Sequence, residues 1–430
     1  MKMRVCFSPL MMYTRLVWRN VMAYQFHTDT DPALIDEFVM SSEQNSLFQC
    51  HEWARVKEGT WNSVFTSVTE NGKIVASALV LIRPVLFFGT MFYIPRGPVM
   101  DWHNRELVTF MISRLRELAI QKHAMVMRFD PYVLYKSYDI HEKDQPHEAR
   151  NLDVIELLQS LGARHRGFTK RIEEATQPRY NIIMRVDESW RERLAKNTKQ
   201  SIRTAEKRGA ELHEGVECIP DMCKALHFTE TRQGIALRNE AYFRHMADIY
   251  GSHCMIMAAK LNFDHEEARL LSDKQQAEAQ LSNASSKKET ARLAKQIEND
   301  AHELSLIQEY REKEQADEAV LCGKFVLYNR SRMEFIYMGN NTNYMRVRAN
   351  YWLYSICLDR CARLGIPICS FGGVEGTLDD GLTQFKSAWP VEVEEYIGEF
   401  NLVLNRPFYY LFDKVYPYLL KAAAALRSHH

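Results

Sequence analysis

The chain has 430 residues, 46% of them apolar and 26% charged, which is material for two or three buried cores. Its 55 basic residues balance 55 acidic ones, so the whole molecule does not advertise a polyanion partner and any such site must come from local charge. The nine cysteines form no C-x-x-C pair and no zinc-knuckle spacing; they read as reduced thiols of a cytosolic protein, mostly core, and neither a metal nor a cofactor is expected.

The amino-terminal "MKMRVCFSPLMMYTRLVWRN" is interrupted by Pro9, carries Arg15 and Arg19, and lacks a small-residue cleavage site, which argues against a signal peptide. Residues 1–21 are expected to be a poorly ordered extension. No apolar run elsewhere reaches the ~18 residues a membrane-spanning helix needs. Next comes a β-hairpin pattern in "GKIVASALVLIRPVLFFGTMFYIPRGPVM", an amphipathic helix in "RELVTFMISRLRELAIQKH" and a strand in "AMVMRFDP". The same order returns as "EAVLCGKFVLYNRSRMEFIYMGNNTNY", "RVRANYWLYSICLDRCARLG" and "IPICSFGGV". Hairpin, loop, helix and strand in this order resemble the core of GNAT-type acyltransferases, here present twice. The expected fold is therefore α/β (α+β), with two GNAT-like subdomains.

Two segments of different character lie between the copies. In "SWRERLAKNTKQSIRTAEKRGAEL", Lys196, Lys199, Arg203 and Lys207 are three or four residues apart and share one helix face. Such a face is either a solvated surface or a cradle for pyrophosphate or an RNA backbone. From Asp264 to Ala316 there is no glycine or proline. Leu270, Ala277, Leu281 and Ala284, and then Ala294, Ile297, Ala301 and Leu304, fall at heptad-like spacing around a turn in "SNASSKK". This predicts an antiparallel helical coiled-coil arm of about 30 Å at ~1.5 Å per residue. Lys287, Lys288, Arg292 and Lys295 gather at its tip against Glu289, so the tip offers cations to phosphate even if the arm serves to stabilise or oligomerise.

The stretch "FGGVEGTLDDGLTQFKSAWP" (371–390) collects four glycines ahead of Lys386. Gly376 and Gly381 have the gap of a phosphate loop, but Leu382 stands where its lysine belongs; Lys386 reads instead as presented from a loop near a strand's end. There is no G-x-S-x-G elbow and no H-E-x-x-H, which disfavours a covalent or metal mechanism. What recurs is an isolated charge at the edge of an apolar element. Lys57 ends "SLFQCHEWARVKEG", Asp130 ends "MVMRFDP", and Arg238 and Tyr242 fall one helical turn apart in "TETRQGIALRNEAYF". Singly each is an ordinary surface charge. With Lys386 they suit a site that holds a phosphorylated substrate and a developing oxyanion without attacking either.

In order, "FQCHEWARVK", "IPRGPV", "RFDP", "KNTKQSIRTAEKRG", "TRQGIALRNEAYF", "FGGVEGTLDDGLTQFKSAWP" and "EYIGEFNLVL" resemble the Fem family (FemABX) from about Met22 onward. The helical insertion resembles the arm of its FemA and MurM-like members. The resemblance implies transfer of an amino acid from aminoacyl-tRNA to the side-chain amine of residue three of the peptidoglycan stem peptide, in interpeptide bridge synthesis. The acceptor would be lipid II or UDP-MurNAc-pentapeptide, met in the cytoplasm at the inner face of the membrane, with no cofactor. Lys57 and Arg238 would contact phosphate, Tyr242 the acceptor, Lys386 the reacting ester, and Asp130 would stand near the acceptor as a second catalytic group. The tRNA would lie on Lys196, Lys199, Arg203 and Lys207, with Lys287, Lys288, Arg292 and Lys295 as the second track. The expected boundaries are 22–180 completed by 395–430, then 181–262 with 317–394, and the arm at 263–316. Two alternatives stand beside this: a catalytically inactive coiled-coil adaptor, or a GNAT-type N-acyltransferase using another donor. Against coenzyme A, neither "IPRGPVMDWHNRE" nor "YMGNNTNYMRVRA" offers the glycine-rich loop whose amides would hold its pyrophosphate.

Overall fold

The computed structural model describes residues 24–85, 89–234, 238–411 and 414. The expectation for residues 1–21 lies outside them. The chain divides into two compact units, the first holding residues up to 183, 373–387 and those from 391 onward, the second 184–372 and 388–390.

The first unit begins with β1 (Tyr24–His27), α1 (Pro32–Ser41) and α2 (His51–Lys57). It continues through β2 (Asn62–Glu70), β3 (Lys73–Val85), β4 (Gly89–Ile94), β5 (Val99–Met100), α3 (Arg105–Gln121) and β6 (Ala124–Phe129). Asn104 caps α3 by accepting from the Leu107 amide, and Leu107, Met111, Leu115 and Leu118 turn one face of that helix inward. The helix returns the chain so that β6 pairs parallel with β4, while β3 pairs antiparallel with both β2 and β4. Val80, Phe92 and Phe129 of the sheet pack with Met111 and Leu115 of α3 in one core. Then follow β7 (Leu134–Asp139), α4 (Leu152–Ser160), β8 (Arg164–His165) and β9 (Tyr180–Arg185), along which the chain passes into the second unit.

The second unit comprises α5 (Lys196–Lys207), β10 (Ala210–Glu214), α6 (Ile219–Gln233), α7 (Glu240–Tyr250) and β11 (Cys254–Asn262). The arm follows as α8 (Phe263–Leu281) and α9 (Lys287–Glu314), then β12 (Glu318–Tyr328), β13 (Arg332–Asn340), α10 (Ala349–Arg363) and β14 (Ile368–Val374). The β12–β13 hairpin, α10, and β14 parallel to β13 repeat the order of the first unit, as the sequence pattern predicts. The arm is a hairpin of two packed helices. Its seam uses Leu270, Ala277, Leu293 and Ile307. Ala294 and Ala301, expected there, are exposed, so the register of α9 is one residue off the prediction.

The last segment is α11 (Gly381–Lys386), β15 (Glu392–Tyr396) and β16 (Phe400–Val403). β15 pairs with β9 and β7, and β16 with β6 and β8. Residues 373–387 and 391–394 fall in the first unit, earlier than the return at 395 expected from sequence, and Lys386 is among them.

Candidate active site

The glycines ahead of Lys386 fold its loop back on itself. A Cβ at Gly373 would stand 2.4 Å from the Pro178 ring, and one at Gly376 would meet the Tyr180 ring at 2.3 Å, so neither position admits a side chain. Asp380 then caps α11, accepting from the amides of Leu382 and Thr383 at 2.8 and 3.1 Å. Lys386, the last residue of the helix, is fully buried, and its Nζ donates to the Gly373 carbonyl at 3.0 Å. Sequence reading places this lysine on a loop; the structure instead encloses it at a helix end, because the Asp380 cap starts a turn of helix that the glycine-rich pattern hid.

Asp130 follows β6 and is 3% exposed. Its Oδ1 accepts from the Arg96 amide at 3.2 Å. Its Oδ2 lacks a hydrogen-bond partner among the described residues, since Arg96 Nη1 stands 3.8 Å away. The buried Tyr93 hydroxyl faces this carboxyl. Burial pushes the Asp130 carboxyl up to about 7 despite the opposing pull of Arg96. The group can therefore take or give a proton near neutrality. Arg96 has left-handed backbone geometry (φ 51°), donates from Nη2 to the Pro178 carbonyl at 2.8 Å, and lies 4.7 Å from the Tyr396 ring centroid. Sequence reading missed Arg96 as a site residue, although "IPRGPV" contains it; its pairing with Asp130 spans 34 residues and has no local signature.

Lys57 ends α2 with its Nζ 4.1 Å over the Trp53 ring. Gln49, buried just before that helix, accepts from the Leu79 amide at 2.9 Å and donates to the Pro95 carbonyl at 2.5 Å, which ties α2 to β3 and to the loop bearing Arg96. Lys57, Asp130 and Lys386 are thus seated on three elements of the first unit.

Arg238 and Tyr242 belong to the second unit, and the structure brings them together. They do not share a helical turn as expected. Asn239 caps α7, accepting from the Tyr242 amide at 3.0 Å, and Arg238 precedes the helix, exposed, with its guanidinium 5.0 Å from the Tyr242 ring centroid. Burial raises the Tyr242 phenol, which keeps it protonated.

The basic face of α5 forms as predicted. Thr198, Ile202 and Ala205 point inward, and Thr198 donates to the Ala388 carbonyl at 2.6 Å. Lys196, Arg203 and Lys207 are exposed; Lys199 is half-buried and donates to the Glu192 carbonyl at 3.1 Å. At the other end of the unit's charge, Lys287, Lys288, Arg292 and Lys295 are all exposed in the first turns of α9.

Comparison with known proteins settles what this scaffold is. A model of the FemAB family matches residues 32–416. The chain belongs to the FemAB family. It is 27% identical over 416 residues to the lipid II:glycine glycyltransferase of Staphylococcus aureus strain MRSA252, covering 90% of this chain and 95% of that one. The protein of the same name from strain bovine RF122 / ET3-1 matches at the same identity and coverage. Among solved structures, FemX superposes with a TM-score of 0.71 at 22% identity, covering 91% of this chain and all of that one, which establishes the shared fold. A FemAB-family protein is an aminoacyltransferase, and the absence of a nucleophile–base pair in the sequence accords with that chemistry.

Proposed function

We propose that this FemAB-family protein transfers an amino acid from aminoacyl-tRNA to the side-chain amine at position three of the peptidoglycan stem peptide. The observation that carries the reading is end-to-end similarity to enzymes named lipid II:glycine glycyltransferase, 90% of this chain on 95% of theirs. An aminoacyl ester is already activated, so orientation and charge stabilisation supply the acceleration. The amine attacks the ester carbonyl, its proton passes to the carboxylate of Asp130, and the tRNA 3′ oxygen leaves with that proton as a hydroxyl, which restores the carboxylate. Lys386 stabilises the oxyanion and Lys57 contacts the acceptor's phosphate on the first unit; on the second, Arg238 is assigned a phosphate contact and Tyr242 an acceptor contact. The buried Asp130 carboxyl, raised to about 7, supports a proton acceptor at that place.

The test is transfer by the purified chain from glycyl-, alanyl- and seryl-tRNA to lipid II and, separately, to UDP-MurNAc-pentapeptide. Glycine, the residue in the relatives' names, is the first donor to try. A chain that binds acceptor and tRNA but transfers none of the three to either acceptor would point to a catalytically inactive adaptor.

A further inference from the structure

Where α1 meets α2, away from Asp130 and Lys386 in sequence, the first unit gathers three side chains with metal-ligand atoms, one of them the Cys50 thiol, which donates to the Ser46 carbonyl at 3.7 Å. Asp36 of α1, and Cys50 and Glu52 at the start of α2, each place one ligand atom within 4.8 Å of the other two. Cys50 is fully buried in a small apolar cluster with Ile35, Val39 and Val99. Glu52 Oε2 is buried without a hydrogen-bond partner among the described residues. The hydrogen-bond donor facing this group of atoms is His51. Its amide donates to Asp36 Oδ1 at 2.9 Å, its Nδ1 contacts Asp36 Oδ2, and the same Nδ1 stands 3.4 Å from Glu52 Oε2. Two carboxylates therefore meet one imidazole, with the thiol sulfur within 4.8 Å of an oxygen of each.

We infer that Asp36, Cys50 and Glu52 form a three-ligand site for a divalent late first-row metal ion, Zn2+ by ligand chemistry, with His51 orienting Asp36. The thiol is the discriminating ligand: sulfur selects zinc over magnesium or calcium, and two carboxylate oxygens complete a mixed set of the kind zinc accepts. Zinc–oxygen and zinc–sulfur bonds of about 2.0 and 2.3 Å put ligand atoms roughly 3.3 to 3.5 Å apart, within reach of the present spacing after small side-chain rotations. On binding, the Cys50 S–H bond breaks, the sulfur lone pair goes to the metal and the proton to solvent; nothing is oxidised or reduced. A fourth position is left for solvent on the side of His51, whose side chain is 39% exposed and gives the ion its way in. The sequence hides the site because Cys50, His51 and Glu52 are adjacent while Asp36 comes from another helix. Its consequence is mechanical: it would clamp the start of the helix whose other end carries Lys57.

The test uses the full chain, stripped of metal with a chelator and titrated with Co2+ as the probe. The expected result is about one equivalent bound, a near-ultraviolet thiolate-to-cobalt absorption band, release of about one proton, and displacement by Zn2+. Cys50→Ser should lose the band. Glu52→Gln should weaken Co2+ binding at least tenfold, and the outer variant His51→Ala about 10- to 100-fold. A wild-type chain that gives no band, or a folded Cys50→Ser chain that keeps it, overturns the proposal. Should Cys50→Ser fail to fold, unchanged Co2+ affinity in both Glu52→Gln and His51→Ala overturns it equally.

Discussion

Asp130 and Lys386 have opposite physical problems, and each yields a measurable consequence. Asp130 is an acid whose folded value, about 7, lies above its ordinary 3.8 because burial penalises the carboxylate. The folded state therefore holds a proton that the unfolded chain has already released between about pH 4 and 7. Stability from this group is present below its unfolded value and is lost as pH rises through 7, by up to ~1.4 kcal/mol per pH unit. Denaturant unfolding from pH 4 to 8 should show this loss in the wild type and not in Asp130→Asn; parallel curves would mean the carboxyl is not raised. If Asp130 takes the amine's proton, kcat/KM should also rise with pH through about 7, and Asp130→Asn should flatten that rise. Lys386 is fully enclosed, and its Nζ donates to the carbonyl of Gly373. As an oxyanion donor it should account for about 10²- to 10³-fold in kcat, so Lys386→Ala should lose that factor with KM retained. Near-normal turnover in a folded variant would leave it only a structural clamp on its loop.

At the scale of elements, hairpins, helices and the arm are legible because each rests on local periodicity, whereas the errors arise where a cap or a partner helix decides. Spacing alone puts Arg238 on the helix of Tyr242, but the Asn239 cap begins that helix after it. The α9 seam is misread by one residue because alanines at Ala294 and Ala301 mimic core positions while Leu293 and Ile307 fill them. Asp130–Arg96 and Asp36–Glu52 join separate elements, and no spacing encodes them. Two substitutions test the element-scale reading. Gly376→Ala should destabilise by about 1 to 3 kcal/mol, since its Cβ would overlap the Tyr180 ring and force the loop away; a neutral effect in denaturant unfolding would refute that close approach. Leu293→Ala should cost the arm roughly 2 to 4 kcal/mol, whereas Ala294→Ser should stay within about 0.5 kcal/mol. Amide exchange along α8 and α9 reads both, and equal protection in the two variants would favour the register expected from heptad spacing.

For the whole molecule the charge balance matters, because 55 cations against 55 anions give little long-range attraction for RNA and leave the proposed tRNA contact to a local track. Two tracks compete. Shared subdomain does not decide between them, because Lys386 belongs to the first unit and α5 and the arm to the second. Charge density still favours α5: four cations lie along one face of a 12-residue helix whose other face is anchored by Thr198, Ile202 and Ala205. The arm tip has four exposed cations too, but they stand beside Glu289, and the stem below them carries Glu266, Asp273, Asp300 and Glu303. Removing one phosphate-neutralising cation should lower the slope of log affinity against log salt by about 0.7 to 0.9. The alanine variant at Lys196, Lys199, Arg203 and Lys207 should therefore flatten tRNA binding by up to ~3.6 in that slope, independent of RNA sequence. The matching variant at Lys287, Lys288, Arg292 and Lys295 keeps the arm's seam intact and should leave the slope near the wild-type value. If the tip variant flattens the slope and the α5 variant does not, the arm carries the RNA, and the basic face of α5 is a solvated surface.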